Sequence, residues 1–258
     1  MIRVVVSGTG QMGTLVLDTV GDAEDMQPVG ILEPIAPKGD SHTVLAMHAD
    51  PNELFEATHP DVVVDFTNAE GAPALVEACL AHGVRPVIGT SGITEETLTT
   101  LRHGCAEQGL GAVVAANFAI GAVMLMYMAR LGARYFESAE IIELHHDGKV
   151  DAPSGTALVT AQLMREAREH DFSHNVPELT HIDDTRGGVH GGVGIHSVRL
   201  PGLVAHQEVI FGGQGQTLTL RHDSTGRDSF MPGVLLAIRE VMERDHLVEG
   251  LDQLVGLT

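Results

Sequence analysis

The sequence predicts an α/β protein in two parts of different construction, and three observations carry that prediction. Short β-branched runs alternate with helical apolar spacing through the first 117 residues. A glycine-spaced hexapeptide stands between the first such run and the first helical segment. Farther on, three strand-like runs follow one another with no helical pattern between them.

Ile2 to Ser7 is a nearly continuous apolar run, the kind buried on both faces of a parallel sheet. Gly8-Thr9-Gly10-Gln11-Met12-Gly13 follows it, and helical spacing continues from Thr14 to Val20. Gly8 permits a tight turn, Gly10 lets a pyrophosphate approach the backbone, and Gly13 lets helix and strand pack closely. The amides of Gln11 and Met12 then lie at a helix start, where anions bind. A second strand, Pro28 to Leu32, ends at Glu33, twenty positions past Gly13, where an acid meets a ribose diol in dinucleotide folds. These features define a Rossmann-type start.

The alternation continues with a strand at Val62 to Asp65, a helix at Ala69 to His82, and a strand at Pro86 to Ile88. A helix at Thr94 to Gln108 and a strand at Gly111 to Ala115 complete it. Strands separated by helices imply right-handed crossovers and a doubly wound parallel sheet, with ligands outside the strands' carboxyl ends. Three loops leave those ends: Asp65-Phe66-Thr67, Gly89-Thr90-Ser91-Gly92 and Ala115-Ala116-Asn117-Phe118. Taken singly, each is equally well ordinary turn chemistry.

The pattern changes after Phe118. A long apolar helix is expected at Ala119 to Tyr135, a strand at Ala139 to Leu144, and a helix from Thr156 to about Glu169. Asp171 to Gly194 has no clear period and reads as an exposed excursion or lid. Strands are expected at Ile195 to Leu200, Ala205 to Phe211 and Gln216 to His222, the last two forming a hairpin through Gly212-Gly213-Gln214-Gly215. Their succession predicts a mostly antiparallel sheet. Phe230 to Arg244 returns to helical spacing and should pack on the first part. The expected domains are 1–117 completed by 228–258, and an inserted α+β domain at 118–227.

A net charge of −20 argues against nucleic acid and anionic membranes as partners. Aromatics are 3% of the chain with no Trp, so base-stacking surfaces are not expected. Cys79 and Cys105 have no framework or metal-like spacing and read as packed thiols. No signal-like segment and no apolar run of about eighteen residues is visible, so a soluble, cytoplasmic protein is expected.

The chemistry concentrates in Glu143-Leu144-His145-His146-Asp147-Gly148-Lys149-Val150-Asp151-Ala152-Pro153-Ser154-Gly155-Thr156-Ala157. His can hand over a proton near neutral pH without much retuning. Lys149 is a compact positive charge suited to a carboxylate. Ser154 reads as an N-cap, leaving the amides of Gly155, Thr156 and Ala157 as anion donors. Alone, each histidine or serine is more often structural than functional. Together they describe a pocket for a small dianion with a proton donor beside it. Adjacent His145 and His146 would point to opposite faces of a strand, and His181, His190 and His196 lack ligand spacing, so no metal is expected.

This segment closely resembles the signature of the dihydrodipicolinate reductase family. The resemblance implies NAD(P)H-dependent reduction of 4-hydroxy-tetrahydrodipicolinate to tetrahydrodipicolinate with loss of water, in lysine and diaminopimelate biosynthesis. It also implies a substrate domain inserted between two hinges, a homotetramer built through that domain, and the three carboxyl-end loops as the cofactor path. By residue, it implies that His145 donates the proton and that His146 and Lys149 grip a substrate carboxylate, with Lys149 assisting proton transfer. Ser154, Gly155 and Thr156 would hold the carboxylate at the helix start, and Arg227 would be a substrate-side arginine; a solvated loop arginine is an equal reading of Arg227.

The glycine loop departs from the family. It is the shorter, six-residue form, and it carries Thr9 and Gln11 where many members have a cation. Glu33 would repel a 2′-phosphate, so NADH is the expected cofactor, with NADPH tolerated if Lys38 offsets that repulsion. Two readings compete with this one: a related NAD(P)-dependent dehydrogenase of another small imine or amino acid, and a nucleotide-sensing protein without turnover. The complete His-His-x-x-Lys and Pro-Ser-Gly-Thr segments count against both.

Overall fold

The computed structural model describes residues 1–33 and 45–257, which divide into two compact units. Unit one is Met1–Ile120 with Arg227–Thr258, and unit two is Gly121–Gly226. Lys38 lies outside the described residues.

Unit one opens with β1 (Ile2–Ser7), whose Val4, Val5 and Val6 are at most 1% exposed, as a strand buried on both faces requires. There follow α1 (Gln11–Asp22), β2 (Met26–Leu32), β3 (Ala46–His48), α2 (Pro51–Thr58), β4 (Val62–Asp65), α3 (Ala72–His82) and β5 (Arg85–Ile88). Next come α4 (Glu95–Gln108) and β6 (Ala112–Val114). Helix boundaries follow local chemistry. Thr94 caps α4 by accepting from the Thr97 amide, acids fill its first turn, and Gly109 ends it at φ +61°.

Unit two holds α5 (Ile120–Gly132, which begins at the boundary), β7 (Ser138–His145), α6 (Gly155–Glu166), β8 (Gly188–His190), β9 (Val193–Arg199), β10 (Ala205–Gly213) and β11 (Gln216–Ser224). A 3-10 turn at Arg227–Phe230 returns the chain to unit one, where α7 (Met231–Met242) and β12 (Leu247–Glu249) end it.

The first sheet has the order β12-β6-β5-β4-β1-β2-β3, and every described pairing in it is parallel. Chain order reverses direction between β1 and β4, the switch point where a parallel sheet opens a crevice at its carboxyl edge. α7 packs on β5, β6 and α1. The second sheet has the order β11-β10-β7-β9-β8, antiparallel throughout except for the parallel β7–β9 pair. The expected fold class holds. The parallel pair arises because α6 lies in sequence between β7 and β9 and makes a crossover.

The sequence reading needs correction at the short elements. β3, α2, β8 and β12 were not anticipated; the three strands have three residues each, too few to show a period. Nor is Asp171 to Gly194 wholly an exposed excursion. Phe172 is 4% exposed within the second core, its amide bonds the Gly191 carbonyl, and Arg186 pairs with Glu140 on β7.

That second core is built around Phe211, fully buried, with Ile141, Val209, Met164 and Ala161. The Phe211 ring stacks on Phe136 at 5.3 Å between centroids and closes against Gly132. Phe211→Ala should therefore cost about 3–5 kcal/mol, seen as a lowered guanidinium midpoint for unit two. A loss below about 1 kcal/mol would mean that the site collapses freely and that Phe211 is not the core's centre.

Candidate functional site

In unit one a cleft of about 430 Å³ opens at the switch point, lined by Ser7, the whole of Gly8 to Gly13, Glu33, Phe66, Thr67, Asn68 and Arg227. Gly8 has φ +90°, and a Cβ there would meet Thr67 Cγ2 at 2.9 Å. A Cβ on Gly13 would lie 2.0 Å from the Gly8 carbonyl oxygen, so helix and turn touch through missing side chains. Gly10 caps α1 with no side-chain hydrogen bond, and nothing lies within 4 Å of where its Cβ would be. The first amides of α1 thus have no capping side chain and open space before them, which suits a phosphate.

Glu33 is held across this loop: its Oε2 accepts from the Thr9 amide at 2.8 Å and the Thr9 hydroxyl at 2.6 Å. The two following loops are tied below by Asp65, which is 1% exposed. Asp65 accepts from the Thr67 hydroxyl at 2.7 Å and the Thr90 hydroxyl at 2.5 Å, while the Thr67 amide donates to Thr90 Oγ1 at 2.9 Å. Thr90 therefore braces the loops rather than presenting a free hydroxyl. Gly89 is required because a Cβ would enter the Phe66 ring, and Phe66 packs edge-on against Phe118 at 5.2 Å. Phe118 and Ala115 are 1% and 3% exposed and belong to the packing behind the cleft; Ser91 is exposed, and Asn117 caps the Ala119 amide at 2.9 Å.

Arg227, expected as a substrate-side arginine at the hinge, lines the glycine-loop cleft, because the 3-10 turn has already brought the chain back to unit one.

In unit two the motif folds around Glu143. β7 buries alternate residues, Ala139, Ile141 and Glu143, so the carboxylate occupies an apolar position and is 0% exposed. Arg199 on β9 clamps it, NH1 to Oε2 at 2.9 Å and NH2 to Oε1 at 2.7 Å. His145 Nδ1 meets Oε2 at 2.5 Å, and the Ser154 amide donates to Oε1 at 3.2 Å. Arg199 also donates to the Asp151 carbonyl at 2.8 Å, tying the loop to the sheet. Burial pushes the Glu143 pKa up, but hydrogen bonds from Arg199, Ser197 and His145 outweigh it and hold the carboxyl below its ordinary range. Burial pushes the His145 pKa down, as do the charges of Lys149 and Arg199, against the opposing pull of Glu143.

Ser154 is the N-cap of α6, its hydroxyl accepting from the Ala157 amide at 3.2 Å. That spends one of the three amides expected to bind an anion, leaving those of Gly155 and Thr156 at the helix start. Lys149 donates to Asp151 at 2.7 Å and keeps partial exposure, and His146 is exposed just beyond the end of β7. The structure thus gathers His145, Lys149 and Ser154 around one strand end. Glu143 and Arg199 were missed as site residues, although a lone acid on the apolar face of β7 was a readable signal. Among the described residues, no group of three or more His, Cys, Asp or Glu side chains could hold a metal ion. No helix among them is long and apolar enough to cross a membrane.

In class, then, the chain is an oxidoreductase of the dinucleotide fold with a second, mixed-sheet unit. Profiles of the dihydrodipicolinate reductase N-terminus and C-terminus match residues 2–118 and 121–255, and the chain belongs to that family. It is 45% identical to a 4-hydroxy-tetrahydrodipicolinate reductase of Dehalococcoides mccartyi, covering 99% of both chains. It is 46% identical to that of Halalkalibacterium halodurans, covering 99% of this chain and 100% of the other. A dipicolinate-bound dihydrodipicolinate reductase from Paenisporosarcina sp. TG-14 superposes with a TM-score of 0.92 at 43% identity, over 98% of this chain and 99% of that one. An amine dehydrogenase from Mycobacterium smegmatis, 15% identical with a TM-score of 0.62, shares the fold alone.

The pH dependence of stability follows from Glu143. Its folded pKa is depressed, so its stabilising contribution is complete above the ordinary value of 4.5 and is lost as pH falls below it. The gap in melting temperature between the native chain and Glu143→Gln should narrow on acidification through that range. A gap constant from pH 7 to about 3 would mean that Glu143 is not ionised in the fold.

Proposed function

We propose that this chain reduces 4-hydroxy-tetrahydrodipicolinate with a nicotinamide cofactor in lysine and diaminopimelate biosynthesis. The balance is substrate plus NAD(P)H plus H⁺ giving tetrahydrodipicolinate, NAD(P)⁺ and water. The observation that carries the reading is an imidazole with Nδ1 fixed on a buried carboxylate, beside an ammonium and a helix start that suit a small dicarboxylate. The dipicolinate bound by the Paenisporosarcina relative is a dicarboxylate of that kind. The other two readings gain no specific support.

Unit one is the dinucleotide domain in this reading. The uncapped amides at Gln11, Met12 and Gly13 hold the pyrophosphate, Arg227 adds the positive charge the glycine loop lacks, and Phe66, Thr67 and Ser91 border the path to the nicotinamide. When bound, the cofactor supplies a hydride. Unit two supplies the rest. Lys149, His146, Thr156 and the amide of Gly155 bind and orient the carboxylates, and His145 donates a proton from Nε2 while Nδ1 stays on Glu143. A dianion beside His145 raises its pKa, opposing the burial and the neighbouring cations that lower it. We also assign assembly of a cytoplasmic homotetramer to unit two, whose edge strand β11 is largely exposed.

His145→Gln should lower kcat by about 10²-fold in an assay of NADH oxidation coupled to dihydrodipicolinate synthase, with KM little changed. An unchanged kcat would remove His145 from proton transfer.

Glu33 stands where dinucleotide folds meet the ribose diol, and it is anchored there by Thr9. NADH should therefore give the higher kcat/KM. A clear preference for NADPH would show that another group neutralises Glu33.

A further inference from the structure

We infer that Glu143 and Arg199 are positioning residues that act through His145: the carboxylate keeps the resting proton on Nδ1, and the guanidinium sets how strongly the second, transferable proton on Nε2 is held. The inference rests on the reading of His145 as proton donor and goes beyond it.

Glu143 sits on the same face of β7 two residues before His145, so the pair is built into the strand's period. A carboxylate is an acceptor only, so the 2.5 Å contact requires a proton on Nδ1. Neutral His145 must then be the Nδ1–H tautomer, and its imidazolium carries the transferable proton on Nε2. Arg199 lies opposite His145 in the β7–β9 register and makes two bonds to the same carboxylate. Both Glu143 oxygens also serve other donors, Oε1 the Ser154 amide and Oε2 His145. The carboxylate is therefore locked in one orientation, and the imidazole inherits it. The charged groups around His145 are Glu143 on its own strand, Arg199 on β9, and Lys149 on the following loop, itself paired with Asp151; its β10 neighbour is Ala205.

The two residues pull the imidazole in opposite senses. Glu143 favours imidazolium, whereas Arg199 disfavours it directly and by neutralising Glu143.

The test is a ¹⁵N NMR titration of the His145 ring in the full chain, alongside pH profiles of kcat/KM, for the native protein, Glu143→Gln, Glu143→Asp and Arg199→Gln. In the native chain the neutral ring should show a protonated Nδ1. Glu143→Gln should move the His145 titration, and the alkaline fall of kcat/KM, to lower pH. Arg199→Gln should move both to higher pH, and Glu143→Asp should restore part of the native profile. If either glutamine variant fails to fold, the Asp variant and the native tautomer still decide the matter. An Nε2–H tautomer in the native chain, or shifts of the same sign in both glutamine variants, would overturn the inference. If the NMR shifts appear while kcat/KM does not follow them, the relay stands and the proton-donor reading of His145 fails.

Discussion

A carboxylate with no solvent exposure, placed among apolar side chains, is the constraint on which unit two depends. Glu143 would cost several kcal/mol if left charged and alone. Its four partners come from separate pieces of chain: Arg199 and Ser197 from β9, His145 from its own strand, and Ser154 from the start of α6. Satisfying one side chain therefore fixes the register of β7 on β9 and the entry angle of α6, and it sets the imidazole's orientation. Bidentate Arg geometry suits this because the planar fork matches both oxygens at once. The pair is weak evidence for stability and stronger evidence for specificity, since any one-residue slip of β7 would place Ile142 or Leu144 there and expose the acid.

Unit one meets its constraint with absence rather than charge. Where the strand order reverses between β1 and β4, loops must approach closely enough to frame a cleft, and three glycines make room at the points of contact. Gly8 yields to Thr67, Gly13 to the Gly8 carbonyl, and Gly89 to the Phe66 ring. Asp65 then ties the loops from below through Thr67 and Thr90, so the cleft's floor is rigid while its rim stays open. A chain of strongly negative net charge can still receive an anion here, because at about 8 Å of screening only the local donors count.

The legible parts of this chain were those where a period ran long enough or a position admitted one chemistry. The Val-rich strands, the helix after Gly13 and the hairpin at Gln214–Gly215 all satisfied that condition. Ser154 was readable as a cap because only a short polar side chain can take that amide. Three-residue strands such as β3 and β8 carry no period, and the parallel pairing of β7 with β9 depends on a crossover that sequence alone does not route. Arg227 is the first residue of unit one after the boundary between units, and a sequence offset does not say that such a residue lines the glycine-loop cleft.

Glu143 marks the limit more sharply. Its alternation with Ala139 and Ile141 placed a carboxylate on the core face, a local conflict of the sort that functional sites retain. Sequence could register the conflict but not resolve it, since the resolving cation, Arg199, lies 56 positions away on a strand whose register only the fold defines. Once that register is known, the motif has a physical reason for its order. The acid must precede the imidazole by two so that both share a face, and the loop after them must be long enough to bring Lys149 and the α6 start back beside the strand end. An imidazole held this way is oriented by the same contacts that hold its sheet together, so loosening the site and loosening the fold are one event.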